Sequence, residues 1–166
     1  MHYSSDTLPS FKVEAVDVKL LVGSAFGHIS PVSAHSDLFY MELKMPKGSR
    51  FIFPADGREA AAYIVSGQVQ IEDQSVGPYI MAVVEQCKDL VIEAKEDSHV
   101  MLIGGKPVGE RVLYWNFVAS SQERLNQAKR AWAGGPAADG RFKPIPGDDQ
   151  EYIPLPDEPN PKGTPM

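Results

Sequence analysis

From Val16 onward the chain alternates. Val16, Val18, Leu20 and Val22 are separated by Asp17, Lys19 and Leu21, and residues at a period of two share one face of a strand. Phe39, Met41, Leu43 and Met45 repeat the pattern around Tyr40, Glu42 and Lys44. Pro46, Lys47 and Gly48 then end the run as a turn. Further short runs stand at residues 61–65, 68–72, 78–84, 89–93, 99–103 and 112–118. The first two of these flank Ser66-Gly67 and read as a hairpin. Gly104, Gly105 and Pro107 separate the last two. Many short strands can hide their apolar faces only against one another, so the pattern predicts an all-β sandwich or jelly-roll barrel.

One helix breaks this pattern. Ser120, Ser121, Gln122 and Glu123 form a capping-box sequence, in which a Ser oxygen can accept the N3 amide and Glu123 can reach back to the cap amide. Leu125, Ala128 and Trp132 follow at helical spacing, and Gly134, Gly135 and Pro136 stop the helix. Trp132 is expected to pack the helix onto the barrel wall. The tail changes character again: Pro144, Pro146, Pro154, Pro156, Pro159, Pro161 and Pro165 exclude a regular ladder and predict an extended chain. Tyr152, Ile153 and Leu155 are its apolar anchors, so docking is expected to about residue 156. The expected organisation is a flexible segment at 1–11, a barrel with its helix at 12–135 and a proline-rich tail at 136–166.

The 166 residues are enough for one sizeable core. A net charge of −6 and the lack of a Lys/Arg cluster argue against direct nucleic-acid binding. A single cysteine, Cys87, excludes an intrachain disulfide. The first residues lack a basic and then apolar signal pattern, and no apolar run reaches a membrane span. The expectation is therefore a soluble cytoplasmic protein.

Residues 48–67, GSRFIFPADGREAAAYIVSG, have the glycine spacing of a cupin metal motif. In that motif two His and a Glu stand between an opening and a closing Gly. Here the ligand places hold Pro54, Asp56 and Ala60. A metal needs several donors converging at about 2.0–2.2 Å, and Pro and Ala offer none. Three longer stretches carry a closer resemblance: residues 23–48, residues 142–156, and LIGGKPVGERVLYWNFVASSQERLNQAKRAW at 102–132. They resemble the C-terminal half of pirin-family proteins, from about Val13 to Pro156. The resemblance implies a single cupin jelly-roll barrel with one C-terminal α-helix. It also implies that no metal or other cofactor is expected in this barrel, since family iron sits in an N-terminal barrel on three His and a Glu. The chain starts where the second barrel starts, either as a fragment or as a single-barrel relative.

Candidate sites are few. His99, at the position of a second cupin motif, and Asp56 are the weak metal candidates, with Glu59, His35 or Glu42 as a third donor. One imidazole and one carboxylate fall short of the facial triad of non-haem iron. His28 and His35 lie in a Ser/Pro-rich loop without ligand spacing, and His2 carries no signal. Cys87 has Lys88 beside it but no His partner. Asp148, Asp149 and Glu151 lack the spaced oxygens of a calcium loop and read as a solvated turn. Tyr63, Met81, Trp115 and Phe117 are candidates for lining a pocket inside the barrel.

The expected function is a metal-free structural or interaction module, normally paired with a metal-binding cupin barrel or with another copy. The alternatives are a metal-dependent dioxygenase of the quercetin 2,3-dioxygenase kind and a metal-free small-molecule barrel.

Overall fold

A computed structural model describes residues 3–84, 89–137, 140–148 and 151–156. The chain divides into two compact units, Met1–Pro107 and Val108–Met166. The division falls at residue 107, whereas the sequence reading ran barrel and helix together to 135.

The first unit holds β1 (Ser10–Val13), β2 (Val16–Ala25), β3 (His28–Ile29), β4 (Leu38–Met45), β5 (Arg50–Phe53) and β6 (Glu59–Ser66). It continues with β7 (Val69–Ile71), β8 (Gln74–Val76), β9 (Met81–Val84), β10 (Leu90–Ala94) and β11 (Ser98–Gly105). They form two antiparallel sheets, one in the order β1-β2-β4-β11-β6-β9 with β3 beside β2, the other β5-β10-β7-β8. These are the sheets of a jelly roll; the described strands do not close into one ring. Phe11, part of the segment expected to be flexible, is paired with Val18 in β1.

Alternation decides the core. Val16, Val18 and Leu20 of β2, and Phe39, Met41, Leu43 and Met45 of β4, are all at most 2% exposed. Phe51, Phe53, Val69, Ile71, Leu90 and Ile92 come from the second sheet to the same cluster. Phe39 and Phe53 touch with ring centroids 4.3 Å apart. Each such side chain contributes roughly 1.5–3 kcal/mol by leaving water.

The expected hairpin at Ser66-Gly67 does not form. β6 pairs with β11 and β9, while β7 pairs with β10 and β8 in the other sheet. Gly67 is thus a corner where the chain changes sheets. Its φ is +85°, and a Cβ there would collide with Ser98 and the Asp97 carbonyl, so glycine is required. Gly104 and Gly105 also depart from expectation: they end β11 instead of separating strands, pairing with Phe39 and Leu38 of β4.

The second unit holds β12 (Val112–Tyr114), β13 (Phe117–Ala119) and α1 (Gln122–Ala133). The single run expected at 112–118 is a hairpin, because Trp115 takes φ +52° and turns the chain. A serine caps the helix, as the capping-box sequence predicts, and it is the second of the two. Ser121 is the cap, extended at φ −155°, and its Oγ accepts from the Arg124 amide at 3.3 Å. Glu123 instead accepts from Gln127 at 3.4 Å. Leu125 and Ala128 are buried as their spacing predicts.

Trp132 packs within this unit, edge-on to Trp115, Phe142 and Tyr152. Its indole N–H donates to the Ile153 carbonyl at 2.7 Å, and the Tyr114 hydroxyl donates to the Pro156 carbonyl at 2.9 Å. These bonds hold the extended tail to its last described residue. The turn expected at 146–147 is present, with Gly147 at φ +81° and Ile145 bridged to Asp148. His2, Cys87, Lys88, Asp149 and the prolines beyond 156 lie outside the described residues.

Candidate functional site

The 48–67 stretch builds one mouth of the jelly roll. Gly48 opens it at φ +80°, β5 carries Phe51 and Phe53 inward, and residues 54–58 turn the chain into β6. Pro54 sits half-buried in this loop, Asp56 is exposed at its tip, and Ala60 faces the core at 6% exposure. Asp56 has φ +48°, a conformation that Asp tolerates better than most residues. The Arg58 amide closes the turn on the Ala55 carbonyl at 2.8 Å.

Arg58 then occupies the mouth. Its Nε donates to Ala55 O at 3.2 Å, Nη1 to Ser24 O at 3.1 Å and Nη2 to Pro54 O at 3.4 Å. Its guanidinium carbon lies 4.9 Å from the Phe53 ring centroid and 5.1 Å from that of Phe39, within cation–π range. The residues at the motif positions therefore do not fit a metal, on two counts. Pro54 and Ala60 have no donor atoms, and a guanidinium held by three carbonyls sets a fixed positive charge among them. Sequence reasoning passed over Arg58, although it is the one cation between Phe51 and Ala60.

The weak metal candidates are not brought together. On β11, Ser98 and Val100 are buried, so His99 points to the opposite, outer face. It stands where β11 meets Lys44 of β4 and Ser66 of β6. Asp56 precedes Glu59, which pairs with Gly105 at the other end of β11. Six residues of strand, at about 3.3 Å each, separate those ends. His99 has Glu42 instead, with Nε2 2.9 Å from Oε1. The carboxylate lies off the direction of an aligned hydrogen bond, and Nε2 has no such bond. A half-exposed pair of this kind contributes about 0–1 kcal/mol. His28 stacks flat on Phe11, centroids 4.0 Å apart, and His35 is exposed. Among the described residues, no three His, Cys, Asp or Glu side chains gather to hold a metal ion.

The four expected pocket residues separate into two pairs. Tyr63 and Met81 are partners across β6 and β9 on the outer face, because Ala62 and Ile64 take the inward positions. Trp115 and Phe117 belong to the second unit, in edge contact at 5.7 Å. The jelly-roll interior at this mouth is filled by phenylalanine.

That outer face is itself divided. Over β1, β2 and β4 it carries Lys12, Asp17, Lys19, Glu42 and Lys44, with Lys12 and Asp17 2.6 Å apart. Over β11, β6 and β9 the registers place Ile103 beside Ala61 and Val83, and Met101 beside Tyr63 and Met81. Val83 is 67% exposed, Met81 51% and Ile103 43%. Beside them Tyr79 and Ile80 are exposed too.

Two sheets with this strand order and a glycine-bounded motif define the cupin class. The chain belongs to the pirin family: residues 40–138 match the pirin C-terminal cupin domain. A pirin-like protein of Caulobacter vibrioides is 38% identical over 94% of this chain and 52% of its own length. A Pseudomonas aeruginosa protein with the provisional name quercetin 2,3-dioxygenase is 26% identical over 90% of the chain and 48% of its own. The crystal structure of quercetin 2,3-dioxygenase from Acinetobacter baumannii superposes with a TM-score of 0.76 at 26% identity, covering 92% of this chain and 51% of that one. The chain spans about half the length of the curated relatives it matches. No described helix is long and apolar enough to cross a membrane.

Proposed function

We propose that this chain acts as a metal-free interaction module whose partner is a second cupin barrel. The observation that carries the reading is the apolar half of the outer face, where Val83, Met81 and Ile103 stand in one contiguous patch. A patch of large exposed apolar side chains on a sheet is a place for another protein. β9 ends its sheet there, and an apolar edge strand calls for a cover. The relatives carry about as much chain again as the half matched here, which is the size of one more barrel. The filled mouth under Arg58 suits a half that supports chemistry carried elsewhere.

The test is sedimentation of the purified chain alone and mixed with the N-terminal half of the Caulobacter relative. A one-to-one complex, or a dimer of this chain, that is lost with Val83→Lys supports the reading. A chain that stays monomeric under both conditions overturns it.

A second reading, metal-dependent oxygenation, draws on the names of the Pseudomonas and Acinetobacter relatives. In it the donors come from outside the described residues. Oxygen uptake with quercetin by the isolated chain after iron or nickel loading would favour it. We expect none.

A further inference from the structure

A larger hollow and a smaller one open in the second unit, and their charges differ. The larger, roughly 1040 Å³, lies by Trp115 and Trp132 and is lined by Arg141 and Lys143 together with Asp148 and Glu151, so its charges balance. The smaller, roughly 300 Å³, is lined by Arg111, Arg124 and Arg141, and no carboxylate stands among its described walls. The protein has six arginines and a net charge of −6. Half of its guanidinium groups therefore line one pocket of an acidic chain.

The fold gathers them from three places. Val112 pairs with Ala119 across β12 and β13, which brings Arg111 to the end of the hairpin where Ser120 leads into α1. Arg124 lies on the first turn of α1, beside the Leu125 and Ala128 that the helix carries into the pocket wall. Arg141 arrives with the returning tail. There the Ala137 amide donates to the Phe142 carbonyl at 3.1 Å, and the Phe142 ring packs on Phe117 with centroids 5.6 Å apart. The three are distant in sequence, so no basic run marks the pocket.

None of the three arginines enters an ion pair among the described residues. Two of them are held by groups without net charge. Arg111 Nη1 donates to the Glu110 carbonyl at 2.9 Å, and the Arg141 guanidinium lies 5.8 Å from the Phe142 ring centroid. Each guanidinium has five N–H donors, so donors remain for a ligand. Like charges around one hollow repel, and a guanidinium fork matches the paired oxygens of a carboxylate or phosphate. Leu125 and Ala128 are buried in the pocket wall, and a wall of low dielectric strengthens the attraction. A singly charged ion would leave most of the positive charge unmatched. We propose that this pocket binds a small anion with two or more carboxylate or phosphate charges, held by Arg111, Arg124 and Arg141 with its uncharged part against Phe117.

The experiment is isothermal titration calorimetry of the full chain with inorganic pyrophosphate and, separately, with citrate. Sodium acetate and sodium chloride at matched ionic strength are the controls. Saturable one-to-one binding of at least one polyanion is the expected result, and the tighter of the two assigns phosphate or carboxylate. Arg124→Gln should weaken it about tenfold or more, as loss of a charge-assisted hydrogen bond does. Arg50 pairs with Glu93 in the first unit, and Arg50→Gln should leave binding unchanged. Arg124 is exposed, so its variant should keep the wild-type thermal midpoint; if it does not fold, Arg141→Gln decides. No saturable heat with either polyanion, equal heat from acetate or chloride, wild-type affinity in the pocket variants, or an equal loss in Arg50→Gln would overturn the proposal.

Discussion

Phenylalanine fills one aromatic cluster of this protein, while tryptophan and tyrosine line much of the other. In the jelly roll, Phe39, Phe51 and Phe53 are 0–1% exposed and meet one another or Phe26. They have no polar edge, and among the described residues the cation laid on Phe39 and Phe53 is the Arg58 guanidinium. In the second unit Trp115, Phe117, Trp132 and Phe142 are half-buried and Tyr152 is exposed. There indole N–H and phenol O–H groups bond backbone carbonyls of the tail. A ring without a polar group stabilises most when wholly removed from water. A ring with one can hold an extended segment and still present a face to solvent. The first cluster is a core, and the second is a surface with a core's composition.

The largest effect should separate the clusters by stability. Phe53→Ala is expected to cost about 3–5 kcal/mol in urea unfolding, as large core truncations do. Phe142→Ala should cost clearly less, since its site is open to water. Equal costs would erase the distinction between filled and open. Next, Arg58→Ala removes two cation–π contacts and three hydrogen bonds to carbonyls, for about 1–3 kcal/mol. If the mouth is simply packed, the variant should still bind no stoichiometric iron, nickel or zinc in elemental analysis. Tight metal binding by Arg58→Ala would mean that the guanidinium alone had displaced an ion.

A smaller effect tests the second unit. Ser121→Ala should lower its helix stability by about 1 kcal/mol and Ser120→Ala by almost nothing, read from the thermal midpoint by circular dichroism. The reverse order would move the cap to Ser120. The smallest effect is electrostatic. Lys106 hydrogen-bonds the exposed Asp37 carboxylate at 2.8 Å and holds its pKa below the usual 3.8. A group whose folded pKa is lowered stabilises above its unfolded value, and that contribution fades as pH falls through the folded one. Urea midpoints should therefore show the benefit at pH 5–7 and lose it below about pH 4, and Asp37→Asn should flatten that limb.

The strands were legible because period-two patterns persist through β2, β4 and β11, and one face of each is buried. The absence of metal donors at Pro54 and Ala60 was legible from residue type alone. The partners of the candidate residues were not. His99 looked toward Asp56 by motif spacing, but alternation beside Ser98 and Val100 turned it outward to Glu42. Tyr63 and Met81 were expected inside the barrel, yet their register placed them on the outer face. Trp115 was read as mid-strand because nothing local marks a tryptophan as a turn residue; the hairpin pairing of Tyr114 with Phe117 imposes it.

The sequence by itself determined which residues alternate, where a helix lies and that the motif carries no ligand set. These follow from side-chain chemistry and from spacing within one segment. Only the tertiary structure decided that Gly67 turns a corner between sheets, that Arg58 occupies the mouth and that two tryptophans meet in an open cleft. Each of those depends on chain segments distant in sequence, and a local pattern specifies a strand's face without naming the strand beside it.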